Sequence, residues 1–169
     1  MTAMIAPWSA PSTPLATDPR LARQFPLQLG EARLRELPAL ARLQRRAFPP
    51  RLAYSLATLM LLWALPWVRV LTARRGDRVV GCIIGDRTID GGRVINLAVD
   101  PDARRQGIGA ALLGAIDRAF PGGDITLMVQ AENSAARALY RRAGYIDEAT
   151  MIDYYGPGRP GVWMRKPRG

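Results

Sequence analysis

The segment from Asn96 to Leu113, NLAVDPDARRQGIGAALL, limits the possible folds more than any other part of the chain. A short apolar strand passes through a turn into an amphipathic helix whose residues Ile108, Leu112, Ala115, Ile116 and Ala119 share one face. Gly107 and Gly109 open that helix, so N–H groups without intrahelical partners and the positive end of the helix dipole converge on one point. An anion such as a phosphate fits there. The two glycines remove Cβ interference, and Arg104 and Arg105 can add charge. Leu112 stands where a dinucleotide fingerprint has its third glycine, the strands before the segment read as hairpins, and no Lys-Ser/Thr pair follows as in a Walker loop. The plain alternative is an ordinary helix start in a strand-to-helix unit.

The chain's 169 residues suit one domain, and 49% hydrophobic with 22% charged residues is enough for a packed core. Residues 1–24 hold Pro7, Pro11 and Pro14 and no charge before Asp18, and are expected to be a disordered leader ahead of a domain over 25–169. They lack the basic start of a secretory signal, so a cytoplasmic location is expected. A helix is predicted from Leu37, with Pro38 in its first turn, to a stop at Pro49-Pro50. Residues 52–68 then run for seventeen positions without a charge. As a helix they would reach roughly 25 Å, short of a ~30 Å hydrocarbon core. Pro66 also interrupts them. A buried helix running into a strand is therefore expected, and no membrane span.

Strands are predicted over 67–73, 78–85 and 93–99, with turns at Gly76-Asp77 and Gly91-Gly92, forming an antiparallel meander. After the helix beginning near Gly107 come a strand over 125–129 and a helix over 134–143 closed by Gly144. Strands over 145–153 and 162–165 end the chain.

There is no histidine and only one cysteine, Cys82, in an apolar strand. Zinc sites, Ser-His-Asp and Cys-His nucleophiles and an internal disulfide are excluded; no metal and no disulfide partner are expected. The formal charge of +10 favours an anionic partner, but only Lys166 is a lysine. Such an arginine excess reflects base composition more readily than ligand recognition.

A second segment, Ala131 to Tyr145, places Asn133 and Tyr140 seven residues apart, within roughly 20° of one helix face. Taken singly, Asn133 reads as a helix cap and Tyr140 as a core aromatic. Taken together, Arg104-x-x-Gly107-x-Gly109 followed by Asn133, Tyr140 and Gly144-Tyr145 resembles the GNAT superfamily of acyl-CoA-dependent N-acyltransferases over about residues 28–166. Within it, Leu97-Ala98-Val99-Asp100-Pro101-Asp102, Arg105-Gln106-Gly107 and Asp153-Tyr154-Tyr155-Gly156 are similar to the bacterial ribosomal-protein N-alpha-acetyltransferases.

The resemblance implies an α/β GNAT fold: a mixed, mostly antiparallel sheet of six or seven strands with helices on both faces, splayed between two parallel strands. It implies acetyl-CoA as co-substrate. Leu97, Ala98 and Val99 would lie beside the pantetheine arm, and Arg104, Arg105, Gln106, Gly107, Ile108, Gly109 and Ala110 would surround the pyrophosphate. Asn133 would touch the arm, and Tyr140 would protonate the leaving thiolate. Tyr154 and Tyr155 would border the acceptor, with the Pro49-Pro50-Arg51 turn opposite; covering the core is the other reading of the two tyrosines. The acceptor would be a protein N terminus, with a ribosomal protein or the ribosome as partner.

Met128 stands where those relatives carry a glutamate base, which leaves Glu132, Asp153 or a water chain for that task. Weak assistance favours an amine of low pKa. At pH 7 an α-amine near 7.8 costs about 1.1 kcal/mol to deprotonate, and a lysine near 10.4 about 4.6 kcal/mol. A small-molecule amine acceptor, or a CoA- or RNA-binding module without catalysis, are the alternatives.

Overall fold

Hairpin turns build the first half of the molecule, shown here as a computed structural model that describes residues 25–168. The expected leader, 1–24, lies outside the described residues. Strands β1 (Leu27–Glu31), β2 (Val68–Arg75), β3 (Arg78–Thr88) and β4 (Gly91–Val99) pair antiparallel in sequence order. The turn at Gly76-Asp77 lies where the sequence predicts it. The next turn is Ile89-Asp90 rather than Gly91-Gly92, because Thr88 already pairs with Gly91. Strand β1 was not predicted from the sequence.

Strands β5 (Asp124–Gln130), β6 (Ile146–Met151) and β7 (Gly161–Lys166) complete a seven-stranded sheet ordered β1-β2-β3-β4-β5-β7-β6. Its one parallel pairing, β4 with β5, runs from Gly91↔Asp124 to Val94↔Leu127 and stops there. At that point Ile95 bulges from the β3 ladder, since Gly85 pairs with Val94 and Ile84 with Asn96. Beyond the bulge the two strands diverge.

Helices α1 (Leu37–Ala47) and α2 (Leu56–Ala64) cover one face, where Leu40, Leu43 and Leu59 pack on Val70, Ile84 and Ala98. Helices α3 (Ile108–Ala119) and α4 (Ser134–Arg142) cover the other, with Leu112, Ile116 and Tyr140 against Ile83, Leu127 and Val129. Helix α4 stops as its sequence predicts. Gly144 follows at φ +93, and Arg141 in the last turn pairs with Asp147.

The expectation of a buried helix within 52–68 is overturned. Ser55 caps α2 by accepting from the Thr58 N–H, yet only Leu59 is buried, while Met60, Leu61 and Trp63 are 48, 63 and 40% exposed. The helix touches α1 and β2 along one line and no described element covers its outer side. The Trp63 indole N–H anchors it through a 2.8 Å bond to the Ala32 carbonyl. No helix among the described residues is long and apolar enough to cross a membrane.

Asp100 locks the end of β4. Its carboxylate is 4% exposed and accepts from Arg46 (3.1 Å), Arg78 (2.8 Å) and the Asp102 N–H (3.1 Å). Asp100→Ala would remove one buried carboxylate from two partly exposed guanidiniums, leaving Asp102 beside both. A loss of about 2 kcal/mol is expected in urea unfolding, below the 3–5 kcal/mol of a fully buried pair.

Candidate active site

Where β4 and β5 part, each strand directs backbone polar groups into the gap. The Asp100 N–H bonds to the Val80 carbonyl, so by ladder alternation Asn96 and Ala98 bond to β3 while Leu97 and Val99 direct N–H and C=O away from it. On the other side the Ala131 N–H bonds to the Pro160 carbonyl, which by the same rule turns Met128 and Gln130 into the gap. Buried backbone groups of this kind require partners. Two have them, since the Met128 carbonyl accepts from the Tyr155 hydroxyl at 3.0 Å and the Gln130 carbonyl from the Asn133 N–H at 2.9 Å. The gap widens into a cleft of about 1170 Å³ between the α1–α2 loop and the α3 and α4 N termini.

The anion corner lies at the β4 end of this cleft. After a 3-10 turn at Pro101–Ala103, Arg105 and Gly107 both take left-handed backbone, at φ +59 and +77. Alternation of this kind turns successive N–H groups inward, as in an anion-binding nest. The first α3 bond runs from the Ala111 N–H to the Gly107 carbonyl, and no side chain caps the helix. The N–H groups of Ile108, Gly109 and Ala110 therefore precede the intrahelical ladder.

The two glycines differ in their task. A Cβ on Gly107 would meet nothing within 4 Å, whereas one on Gly109 would stand 2.9 Å from Leu139 Cδ2. The sequence reading is corrected here: Gly109 allows α3 and α4 to approach, and Gly107 keeps the corner open. Arg104 and Arg105 are exposed and line the cleft, while the Gln106 side chain turns away, accepting from Arg75 at 2.7 Å.

Asn133 accepts the Ala136 N–H at 3.1 Å and so caps α4, and it also lines the cleft. Tyr140, on the same helix face, is 8% exposed and packs edge-on against Tyr145, with ring centroids 5.8 Å apart. Burial drives its hydroxyl well above the usual phenol range. Tyr140 therefore stays protonated, able to donate, at any ordinary pH. The chain's one thiol, Cys82, is fully buried and pushed up to about 12 by burial, inert as the sequence suggests.

On the α1–α2 side of the sheet, Phe48, Pro49, Arg51 and Tyr54 face Met128, Gln130 and Tyr155 across the cleft. Tyr155 is pushed up to about 12, chiefly by burial and then by neighbouring Tyr154. Tyr154 itself is 54% exposed and packs edge-on against the Tyr155 ring without lining the cleft. Neither carboxylate proposed as a base reaches the site. Glu132 and Asp153 are exposed and off the cleft wall, and Asp153 instead accepts the Gly158 N–H.

The cleft thus gathers Leu97, Ala98, Val99, Arg104, Arg105, Gly107, Ile108, Gly109, Ala110, Asn133, Tyr140 and Tyr155. It leaves aside the Gln106 and Tyr154 side chains. Sequence reasoning missed Tyr54 and Gln130. Period-2 alternation from Met128 points to Gln130; for Tyr54 the only signal is its place just after Pro49-Pro50-Arg51.

Residues 66–147 match the family model described as an acetyltransferase (GNAT) domain. The chain is 30% identical over 138 residues to an uncharacterised N-acetyltransferase of Methanocaldococcus jannaschii, covering 79% of this chain and 87% of that protein. It is 40% identical over 88 residues to the ribosomal protein bS18-alanine N-acetyltransferase of Salmonella typhimurium, 50% of this chain and 59% of that one. The fold superposes on the crystal structure of the Escherichia coli ribosomal-protein-S18-alanine N-acetyltransferase with a TM-score of 0.72 at 23% identity, covering 83% of this chain and 93% of that one. It also superposes on the PaiA N-acetyltransferase of Thermoplasma acidophilum in complex with coenzyme A, with a TM-score of 0.73 at 16% identity, covering 85% and 100%.

The chain belongs to the GNAT acetyltransferases and has their mixed α/β fold. It is an acetyl-CoA-dependent N-acetyltransferase. The site fits that co-substrate. The nest at Arg105 to Gly107 suits a diphosphate, and the outward-turned Leu97 and Val99 backbones suit the amides of pantetheine.

Proposed function

We propose that this enzyme acetylates the α-amine of a protein N terminus by direct transfer, without an acyl-enzyme. The observation that carries the reading is that no carboxylate among the described residues lines the cleft, where Met128 stands at the position at which the resemblance expects a base. An amine entering such a site must already be largely neutral, which favours an α-amine over a lysine by about 3.5 kcal/mol at pH 7.

When bound, acetyl-CoA supplies an activated thioester carbonyl and a thiolate leaving group. The N–H groups of Ile108, Gly109 and Ala110, with Arg104 and Arg105, hold its diphosphate. Leu97 and Val99 bond the pantetheine amides strand-fashion, and Asn133 borders the arm. A backbone N–H of residues 97–99 meets the negative charge that develops on the carbonyl oxygen. As the C–N bond forms and the C–S bond breaks, the Tyr140 hydroxyl protonates the departing sulfur, the amine loses its proton to water, and the tyrosinate takes a proton back from water to restore the phenol. Tyr155 holds the Met128 carbonyl and shapes the acceptor wall together with Tyr154 behind it. A ribosomal protein is an acceptor of the kind named for the relatives.

The pH profile tests this. Without an enzymic base, kcat/KM should rise about tenfold per pH unit up to the acceptor amine's own pKa, near ~7.8 for an ordinary N terminus. It should then stay flat, because burial keeps Tyr140 protonated through that range. Two peptides whose N-terminal amines differ in pKa should show inflections that differ by the same amount. A common inflection, independent of peptide, would establish a base within the enzyme and overturn the reading.

A further inference from the structure

We infer that the acceptor cleft selects amines flanked by negative charge, so that the preferred substrate is an N terminus with an acidic residue directly after the first. This rests on the N-terminal reading above and adds the electrostatic class of the acceptor.

Three observations carry it. Among the described residues, those lining the cleft include Arg51, Arg104, Arg105 and Arg142 and not one carboxylate. Arg104 and Arg105 stand at the anion corner, but Arg51 belongs to the loop that faces Met128, is exposed, and has no hydrogen-bond or ion-pair partner among the described residues. Asp86 is already engaged by Arg93 through two bonds of 3.1 and 2.6 Å.

The third observation is Gln130. Its side chain shares the Met128 face of β5, lines the cleft, and has its Nε2 atom buried without an acceptor. A buried donor in that condition requires a partner. A ligand carboxylate or carbonyl can supply one, and an ammonium or guanidinium cannot. Gln130 therefore offers an unused donor and Arg51 a positive charge, and a cationic side chain beside the reacting amine would be desolvated against that charge. Polyamines and aminoglycosides, acceptors named for two proteins of the same fold, are disfavoured on the same ground.

The test measures thiol release from saturating acetyl-CoA with peptides that begin Ala-Asp, Ala-Ala or Ala-Arg and are otherwise identical. The expected order of kcat/KM is Asp above Ala above Arg, with roughly two- to fivefold per step, the size of one solvated charge interaction. Gln130→Glu, which keeps size and shape, and Arg51→Glu should each reverse the Asp-to-Arg ratio. A new carboxylate that merely acted as a base would raise all three peptides together and leave that ratio unchanged.

Equal rates for the three peptides, or a ratio untouched by both variants, would overturn the inference while leaving N-terminal acetylation intact. If no peptide reacts and only small amines do, the N-terminal reading fails. The inference is then decided by amino acid carboxylates against diamines, with faster turnover of diamines refuting it.

Discussion

Tyr140→Phe is expected to lower kcat by about 10²- to 10³-fold, the range of a single general acid, with the KM for acetyl-CoA nearly unchanged. The chain has no histidine, its buried thiol sits on the opposite side of the sheet from α4, and of the cleft's other phenols Tyr155 is held on the Met128 carbonyl and Tyr54 stands on the α1–α2 side. Only the hydroxyl is removed. The ring keeps its edge contact with Tyr145 and its place in the core. Thermal melting should therefore stay within a degree or two, and thiol release with a saturating peptide is the measurement that separates chemistry from folding. Wild-type turnover in this variant would show that the sulfur leaves as a thiolate or finds its proton in water.

Gly107→Val is expected to weaken CoA binding by at least about 100-fold in calorimetry. The first contribution is backbone strain, since an L-residue pays roughly 1–2 kcal/mol in the left-handed region and a β-branched one more. A chain relieved of that strain would abandon φ +77, and the nest formed with Arg105 would turn its N–H groups elsewhere. The second contribution is steric, because the new side chain projects into the space left empty at the corner. Gly109→Ala is the comparison. Its Cβ meets the movable end of Leu139, so a smaller loss is expected there. Unchanged affinity for Gly107→Val would place the diphosphate away from the α3 N terminus.

Local chemistry made much of this architecture legible. Gly144 and the Gly76-Asp77 turn act over a few residues, so the pattern that encodes them lies in one window. Strand β1 was not visible because its five residues gain meaning only by pairing with β2, forty or more positions further on. Helix α2 was read as buried because apolar composition reports a preference for burial and not whether a neighbour exists to provide it. The bulge at Ile95 had no sequence signal, and without it the exact end of the parallel pairing could not be placed.

The site shows the same division. Period-2 alternation in β5 puts Met128 on the face away from Leu127 and Val129, and only the resemblance to the N-alpha-acetyltransferases marks that residue as the place of their glutamate. Whether Glu132 or Asp153 could replace it depends on how two loops fold back over β7, and neither reaches the cleft. Gln106 sits inside a motif that suggests anion contact, yet Arg75, thirty-one residues earlier, claims its side chain. Tyr54 becomes a wall of the cleft only because the loop after Pro49-Pro50 crosses the gap between β4 and β5.

The early parting of β4 and β5 gives this sheet a margin in its middle as well as at its two flanks. The amides along that inner margin are as hungry for a ladder as those of any unpaired outer strand. The acyl carrier can thus be regarded as a guest rung, short-lived and renewed with every turnover, that completes a β-architecture the polypeptide leaves unfinished.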